Sequence, residues 1–307
     1  MVKKHKKHKT LKSYDKKVKK SFKKKHCSLK NCTKEISCLD NKLLIKIAEV
    51  LNEYHEAGIN LKTSRNKLHQ QISKKLNKMS DCDSEKCWLT IQELIKHLSP
   101  EELSIFKKSF KPKKPCKWSK NPNEWLTTSD LEKILEQLMD KYPDFHSYGA
   151  LPMDFDLKEQ NRCVSGDLCN INLKKHMNEK KFSIGSIFNL DNHDEPGSHW
   201  VAIYLDLNSS NRDSPSIYYF DSIADNPTKE IKELVDNVKE QYRKISNKEL
   251  DFLYNDMKHQ YENTECGIYC LHFLETMLKG VDFEDYINDK KKDDYIEKFR
   301  QYYFIEE

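Results

Sequence analysis

Apolar residues recur at helical spacing in the first part of the chain. Over residues 39–56 they repeat every three or four positions, which predicts an amphipathic helix, and residues 64–78 predict a weaker second one. Further on, a Thr or Ser is twice followed by Glu three residues later, the pattern of a capping box at a helix start. These two pairs are Thr90 with Glu93 and Ser99 with Glu102. A wholly helical N-terminal domain is therefore predicted.

Composition predicts the boundary of this domain. Residues 111–118 combine Lys with Pro, which favours a stiff linker over a packed element. We therefore predict a helical arm domain over residues 26–110, a linker over residues 111–118 and a second domain over residues 119–307.

The second domain mixes helical stripes with short apolar runs. Ser129 and Glu132 form a further capping pair, and the apolar residues at helical spacing beside them predict a helix. Apolar runs bounded by polar turns predict four strands, at residues 183–190, 200–206, 216–220 and 249–254.

Three more helices complete this domain. They are predicted to begin after Asn226-Pro227, at Cys266 and at Asp293. Gly280 ends the second of them, since glycine favours the left-handed conformation that follows a helix. Helices on either side of a run of closely connected strands are typical of an α+β fold with a central, mostly antiparallel sheet.

The strands at 200–206 and 216–220 predict a hairpin that brings two functional groups together. Folded about residue 210, the hairpin places His199 opposite Asp221 at its open end. Opposed side chains lie about 5 Å apart at Cβ, close enough for a carboxylate to orient an imidazole through its Nδ1 proton. The inference depends on register, because a slip of one residue turns a side chain to the opposite face.

Cys266 is the candidate nucleophile. It follows a polar loop and precedes the apolar stripe of its helix, so its thiol lies at a helix N-terminus, where the macrodipole favours a thiolate. The neighbouring Gly267 would let a substrate backbone approach closely. Gln260 could add its side-chain amide to the Cys266 backbone N–H in an oxyanion hole. With His199 as base, these groups suit nucleophilic acyl transfer.

Structural roles are the alternatives for these residues. His199 would cap a strand, Asp221 would form a turn and Cys266 would be a small buried apolar residue. Cys270, one turn further along the helix, is predicted to be simply buried. Three other histidines compete with His199 for the role of base: His193, His259 and His272.

Charge separates the first 25 residues from the rest of the chain. Residues 1–25 contain 13 Lys and one Asp, a net charge of +12, whereas the whole chain carries +5, so the remainder carries −7. Such a segment is predicted to be disordered and would suit a polyanion such as nucleic acid. A solvated extension is the alternative, because Lys predominates throughout: only five of the 54 basic residues are Arg.

Composition excludes some other classes of protein. The 307 residues include 10% aromatic residues, too many for a wholly disordered chain. No run approaches the ~18 apolar residues of a membrane helix, and no apolar stretch at the N-terminus indicates a secretory signal. We expect no membrane association and a reducing, intracellular setting.

The ten cysteines are too sparse for a small disulfide scaffold. We expect free thiols outside the candidate site, with disulfides as the less favoured alternative. A zinc site formed by Cys32, Cys38, Cys82 and Cys87 is a further alternative, although these residues are more widely spaced than the paired ligands of zinc ribbons. Cys163 and Cys169 flank a loop and give a weaker pair. No metal or other cofactor is predicted.

The order of the candidate residues resembles a known family. Four motifs are similar to the His, acid, Gln and Cys motifs of the adenain/Ulp-type cysteine proteases: His199-Trp200, Tyr219-Phe220-Asp221-Ser222, Gln260 and Thr264-Glu265-Cys266-Gly267. Residues 82–87 and 298–300 extend the likeness to the polyprotein-processing thiol proteases of large cytoplasmic DNA viruses, including that of African swine fever virus. The likeness spans residues 36–307, with one departure, since Asp221 stands where the swine fever enzyme has Asn.

The resemblance implies a substrate as well as a reaction. Proteases of this family cleave after Gly-Gly in a narrow channel walled by tryptophans, and Trp200 and Trp125 match the wall residues, with an ordinary core role as the alternative for Trp125. It implies a viral cysteine endopeptidase that processes capsid or core precursors at Gly-Gly-Xaa, in the virion and at assembly sites in the host cytoplasm. Because the chain contains no Gly-Gly, we expect no self-processing at such a site.

Two other functions are alternatives. One keeps the chemistry and changes the target, with SUMO or ubiquitin-like modifiers removed from host proteins. The other is a non-catalytic virion protein that binds nucleic acid through residues 1–25.

Overall fold

The computed structural model describes residues 26–31, 37–80, 82 and 84–305, so the predicted lysine-rich tail lies outside the described residues. Two units make up the described chain, one of residues 26–113 with 303–305 and one of residues 114–302. The prediction placed residues 303–305 in the second domain, but Ile305 forms a β-bridge with Lys113 and donates its N–H to the Pro112 carbonyl at 2.9 Å. None of the helices in the described part of the chain combines the length and the hydropathy of a membrane-spanning segment.

The first unit is helical, as predicted. Its helices are α1 (Asn41–His55), α2 (Arg65–Met79), α3 (Gln92–Ile95) and α4 (Pro100–Lys108). Side chains cap three of the starts: Asp40 accepts from the Leu43 N–H, Ser64 from the Lys67 N–H, and Ser99 forms the predicted capping box with Glu102. The apolar stripes of α1 and α2 contribute to one hydrophobic core.

The predicted capping box of Thr90 with Glu93 is wrong. The chain forms a short 3-10 helix over Cys87–Thr90, and the Thr90 hydroxyl donates to the Cys87 carbonyl at 2.7 Å. Because the hydroxyl is used there, α3 begins at Gln92 without a side-chain cap.

Three disulfides correct the expectation of free thiols: Cys27–Cys38, Cys82–Cys87 and Cys163–Cys169. The fold brings the Cα atoms of Cys27 and Cys38 to 4.9 Å although 11 positions separate them, whereas the other two pairs join cysteines five and six positions apart. The zinc alternative loses Cys38, Cys82 and Cys87 as ligands, and Cys32 lies outside the described residues.

A five-stranded sheet forms the centre of the second unit. The strands of this unit are β1 (Phe145–Leu151), β2 (Lys158–Glu159), β3 (Arg162–Cys163), β4 (Ser183–Asn189), β5 (Trp200–Asp206), β6 (Ser216–Phe220) and β7 (Asp251–Tyr254). The sheet order is β1-β4-β5-β6-β7, and β2 pairs with β3 apart from it. β5 is antiparallel to both neighbours, whereas β1 with β4 and β6 with β7 are parallel. The α+β class is thus confirmed, but the sheet is mixed rather than mostly antiparallel, because two of its four strand pairs are parallel.

Helices of the second unit pack beside this sheet. They are α5 (Thr128–Lys141), α6 (Leu173–Asn178), α7 (Lys229–Ser246), α8 (Cys266–Leu278), α9 (Phe283–Asn288) and α10 (Asp293–Tyr303). α5 is capped by Thr127 with Asp130, two residues before the predicted pair of Ser129 with Glu132. α8 contacts β4 and β5 and is buried from Cys266 to Met277, which gives its first residue a rigid support.

A buried ionic cluster in α8 strengthens this support. Glu275 is fully buried, and Lys141 and Lys279 contact its carboxylate at 2.7 and 3.0 Å. Burial opposes the charge of Glu275, but the two ammonium groups outweigh it and hold the pKa of this carboxyl well below its usual range. Lys141 belongs to α5, so the cluster also ties α5 to α8.

Candidate active site

His199 and Asp221 lie at neighbouring ends of β5 and β6, as predicted, but in a different register. Ala202 pairs with Phe220, so the ladder is shifted by two residues from the predicted hairpin. The connecting loop turns around Asn211, whose side-chain amide is held by carbonyls at the end of α8 and just beyond it. Because two residues are one full repeat of a strand, the shift keeps both side chains on one face.

His199 contacts both other groups of the predicted triad. Its Nε2 lies 2.7 Å from Asp221 Oδ1, and the side chain of Cys266 is near enough to the ring to raise its pKa. The prediction used Nδ1 for the carboxylate, whereas Nε2 makes this contact in the structure. The side chain of Asp221 is fully buried and that of His199 is 13% exposed, so little water competes for these contacts.

The contacts of His199 change its pKa. Burial alone lowers the pKa, but hydrogen bonds to Asp221 and Cys266, together with their charges, outweigh burial and raise the pKa of His199 to about 9. The imidazole therefore holds a proton at neutral pH, which is the state that can protonate a leaving amine.

Backbone groups fix the carboxylate of Asp221. Oδ1 accepts the N–H of Ile223 at 2.9 Å, and Oδ2 accepts the N–H of Asp225 at 3.3 Å. Asn255 accepts the N–H of Asp221 at 3.0 Å and donates to its carbonyl at 2.6 Å. The carboxylate can thus hold the ring of His199 in one orientation. Asn255 could not be identified from the sequence, because it lies 34 positions after Asp221, just beyond a strand, and belongs to no recognisable motif.

Gln260 lies in the loop before α8 and is 3% exposed. Its Oε1 accepts from the Ser222 hydroxyl at 2.6 Å, and its Nε2 donates to the Glu262 carbonyl at 2.8 Å. The amide has two N–H donors, and the bond to Glu262 uses one of them. Ser222 therefore sets which way the amide faces, a role that its position directly after Asp221 could have suggested.

Cys266 is the first residue of α8 and is 2% exposed. Its neighbour Gly267 is closely packed on the side where a side chain would lie. A Cβ on Gly267 would lie 3.2 Å from the Cβ of Leu126 and 3.4 Å from a methyl carbon of Leu131. The space left by the missing side chain is therefore filled by two leucines at the helix start, and close approach of a substrate backbone to Gly267 stays a prediction.

The two predicted wall residues lie on connected segments. Trp200 is buried, and its indole N–H donates to the Leu126 carbonyl at 3.0 Å. Trp125 precedes Leu126 and is half-buried. Trp200, the residue after His199, thus anchors the segment that carries Trp125. A channel between the two tryptophans stays a prediction.

The competing histidines have other neighbours. His193 Nδ1 pairs with Asp154 Oδ2 at 2.6 Å on an exposed loop. His259 is buried among aromatic rings, and burial lowers its pKa to about 4. His272 Nδ1 lies 3.0 Å from the Tyr286 hydroxyl, and burial lowers its pKa to about 3. His259 and His272 are thus neutral core residues.

Two other free cysteines lie among the described residues. Cys270 is fully buried, as predicted, and burial raises the pKa of its thiol well above the usual value. Cys116 is exposed at the start of a short 3-10 helix, Cys116–Ser119. Of the three thiols, that of Cys266 is the one that raises the pKa of His199.

Known proteins resemble this chain in sequence. Residues 132–307 match the C-terminal catalytic domain of the Ulp1 protease family. A protein of Acanthamoeba polyphaga mimivirus, described as a thiol protease, is 32% identical over 247 residues, which cover 80% of this chain and 76% of that protein. A cysteine protease of African swine fever virus is 26% identical over 250 residues, 78% of this chain and 89% of that one.

A solved structure shares the fold. The crystal structure of the African swine fever virus protease superposes with a TM-score of 0.61 at 22% identity and covers 92% of this chain and 96% of its own. The likeness therefore includes residues on the N-terminal side of residue 132.

Proposed function

We propose, for a chain that belongs to the Ulp1 protease family and is a cysteine protease, that Cys266 is the nucleophile and His199 its acid and base. Asp221 orients His199 in this proposal, and Gln260 donates to the oxyanion. The observation that carries it is the ring of His199, which lies 2.7 Å from the carboxylate of Asp221 and whose pKa is raised by both Asp221 and the nearby side chain of Cys266. Membership of a protease family contradicts the non-catalytic alternative.

The reaction proceeds in two steps. The Cys266 thiolate attacks the carbonyl carbon of the peptide bond and forms a C–S bond, and the C–N bond breaks as protonated His199 gives its proton to the leaving amine. Water then attacks the thioester while His199 takes one of its protons. The C–S bond breaks, the carboxylic acid leaves, and the thiolate with protonated His199 is restored.

The negative charge on the carbonyl oxygen needs donors in this mechanism. The N–H of Cys266 lies in the first turn of α8, where backbone N–H groups have no partner within the helix. The second N–H of the Gln260 amide is the other proposed donor. One such donor is worth about 10²- to 10³-fold in kcat.

The substrate that we propose is a viral capsid or core precursor, cleaved after Gly-Gly. The viral relatives support this class, as does the position of Trp200 and the Trp125 segment beside His199. Flat aromatic walls admit residues that lack a Cβ. We place the enzyme in the virion and at assembly sites in the host cytoplasm, with residues 1–25 available to bind nucleic acid.

A second proposed activity is the removal of a ubiquitin-like modifier from a target protein. One relative, from African swine fever virus, is described as a SUMO-1 cysteine protease, 26% identical over 250 residues. The same Cys266 chemistry would serve this substrate, because the scissile bond again follows a carbonyl carbon that a thiolate can attack.

Peptides that differ only before the cleaved bond test the substrate class. We expect kcat/KM for Gly-Gly to exceed that for Gly-Ala and Ala-Gly by about 100-fold, since a Cβ must clash with a channel wall. Cys266→Ala is the matched control for every peptide. Equal rates on the three peptides would contradict the Gly-Gly proposal. Faster cleavage of SUMO or ubiquitin fused to a C-terminal reporter than of the Gly-Gly peptide favours the second target.

Asp221→Asn is expected to shift the upper pH limit of kcat to lower pH. Protonated His199 is present below its pKa of about 9 and is lost as the pH rises through that value. The hydrogen bond and charge of Asp221 help to raise this pKa, so a neutral amide lowers it. The measurement is kcat against pH, with Asp154→Asn, which faces His193, as the control. An upper limit that does not move in Asp221→Asn contradicts the assigned contact.

A further inference from the structure

Arg300 in α10 is the only buried one of the five arginines, all of which lie in the described part of the chain. Buried charges in proteins are normally paired. The carboxylate of Glu297 accepts from Arg300 Nε at 3.0 and 2.8 Å, and the guanidinium lies 4.6 Å from the ring centre of Trp118. These contacts fix the plane of the guanidinium.

The remaining nitrogens of Arg300 hold two separate backbone segments. Nη1 donates to the Glu124 carbonyl at 2.6 Å, and Nη2 donates to the Thr264 carbonyl at 3.1 Å. A planar guanidinium can bond both carbonyls and a carboxylate at once. A lysine ammonium is a single point charge and cannot span them.

Both segments lead directly to the proposed active site. Thr264 lies two residues before Cys266. Leu126 lies two residues after Glu124, and its carbonyl accepts the indole N–H of Trp200, the residue after His199. The side chain of Leu126 also fills the space beside Gly267. One side chain therefore joins the loop of the nucleophile to the segment that packs beside the base.

We propose that Arg300 is a positioning residue that sets the spacing between the wall segment, residues 124–126, and the nucleophile loop, residues 264–266. Through this spacing it determines the selectivity for glycine before the cleaved bond, an inference that rests on the proposed function. Arg300 acts through backbone carbonyls and does not touch the reacting atoms. Small displacements have large effects here, because a shift of about 1 Å can cost 10²-fold in rate.

The first test compares Arg300→Lys and Arg300→Gln with Arg243→Gln, which changes an exposed arginine of α7. We expect both Arg300 variants to lose about 10-fold in kcat/KM on the Gly-Gly peptide and about 10-fold in its ratio to the Gly-Ala peptide. Arg243→Gln should leave both values unchanged. Activity that falls on both peptides with an unchanged ratio overturns the proposal. A wild-type ratio of Gly-Gly to Gly-Ala cleavage in Arg300→Lys also overturns the proposal, because it would show that a positive charge alone suffices at this position.

The second test needs no peptide. The rate at which iodoacetamide alkylates Cys266 is measured against pH in a Cys116→Ser background, with the unfolding midpoint of each variant determined alongside. We expect Arg300→Lys, folded at the assay temperature, to change both the rate and its pH dependence. An unchanged alkylation profile with an unchanged peptide ratio overturns the role of Arg300. Wild-type protein that cleaves no Gly-Gly peptide overturns the proposed substrate instead, and the alkylation profile then decides on Arg300.

Discussion

Cys266→Ala is expected to lower kcat on a Gly-Gly peptide by about 10⁵-fold or more, because the sulfur supplies the electron pair that forms the acyl bond. No neighbouring group replaces it: Cys270 is fully buried, and burial raises the pKa of that thiol well above its usual value. Cys266→Ser should lose nearly as much, since a hydroxyl at this site is a far weaker nucleophile than a thiolate. Steady-state hydrolysis read by product mass provides the measurement.

Other cysteines supply the controls for this experiment. Cys116→Ser changes an exposed thiol outside the candidate site and should retain wild-type kcat. Cys270→Ala, one turn along α8, should fold less stably and still hydrolyse the peptide, because a buried methyl-sized cavity affects stability before chemistry. A Cys266→Ala protein with kcat within 10-fold of wild type would contradict the assignment of the nucleophile.

His199→Gln is expected to lower kcat by about 10⁴-fold and to remove its upper pH limit. The imidazole is proposed to protonate the leaving amine, and its pKa of about 9 places the loss of that proton near pH 9. Glutamine keeps hydrogen-bonding capacity toward Asp221 but carries no exchangeable charge. The measurement is kcat between about pH 6 and pH 10 for both proteins.

His193→Gln is the matched control, since His193 also pairs with a carboxylate but lies on an exposed loop. It should retain both kcat and the pH limit. If His193→Gln lost activity and His199→Gln kept it, the base would have to be reassigned.

Much of the fold could be predicted because it is encoded locally. Ser99 with Glu102 caps a helix within four residues, and the apolar runs at 200–206 and 216–220 are strands with the predicted bounds. β1 was missed because its sequence combines Gly and polar residues and contains no β-branched residue. The first core helix was predicted, but its cap was assigned two residues late, since several polar residues before it can cap.

The pairing of His199 with Asp221 was predictable for one physical reason. Strand side chains alternate faces, so any even register brings the two to the same side. The actual register depends on Asn211, which bonds carbonyls at the end of α8, and such long-range contacts leave no trace in a strand pattern.

The supporting residues of the site were harder to predict than its candidate chemical groups. Asn255 and Arg300 act through backbone atoms that are distant in sequence, and no local spacing signals such a contact. The Cys27–Cys38 disulfide was missed for a related reason, because the fold brings together two residues that are 11 positions apart. Cys82–Cys87 and Cys163–Cys169 join residues only five and six positions apart, and they were missed because free thiols were favoured over disulfides.

The most direct measurement is covalent capture by an electrophilic peptide that ends in Gly-Gly. The labelled site is located by mass spectrometry of the digested protein. We expect a single adduct on Cys266, faster at pH 7 than at any pH above the pKa of His199, and no adduct on the exposed Cys116 at matched concentration. An adduct on another residue, or hydrolysis that persists after Cys266 is fully labelled, would contradict a mechanism centred on this thiol.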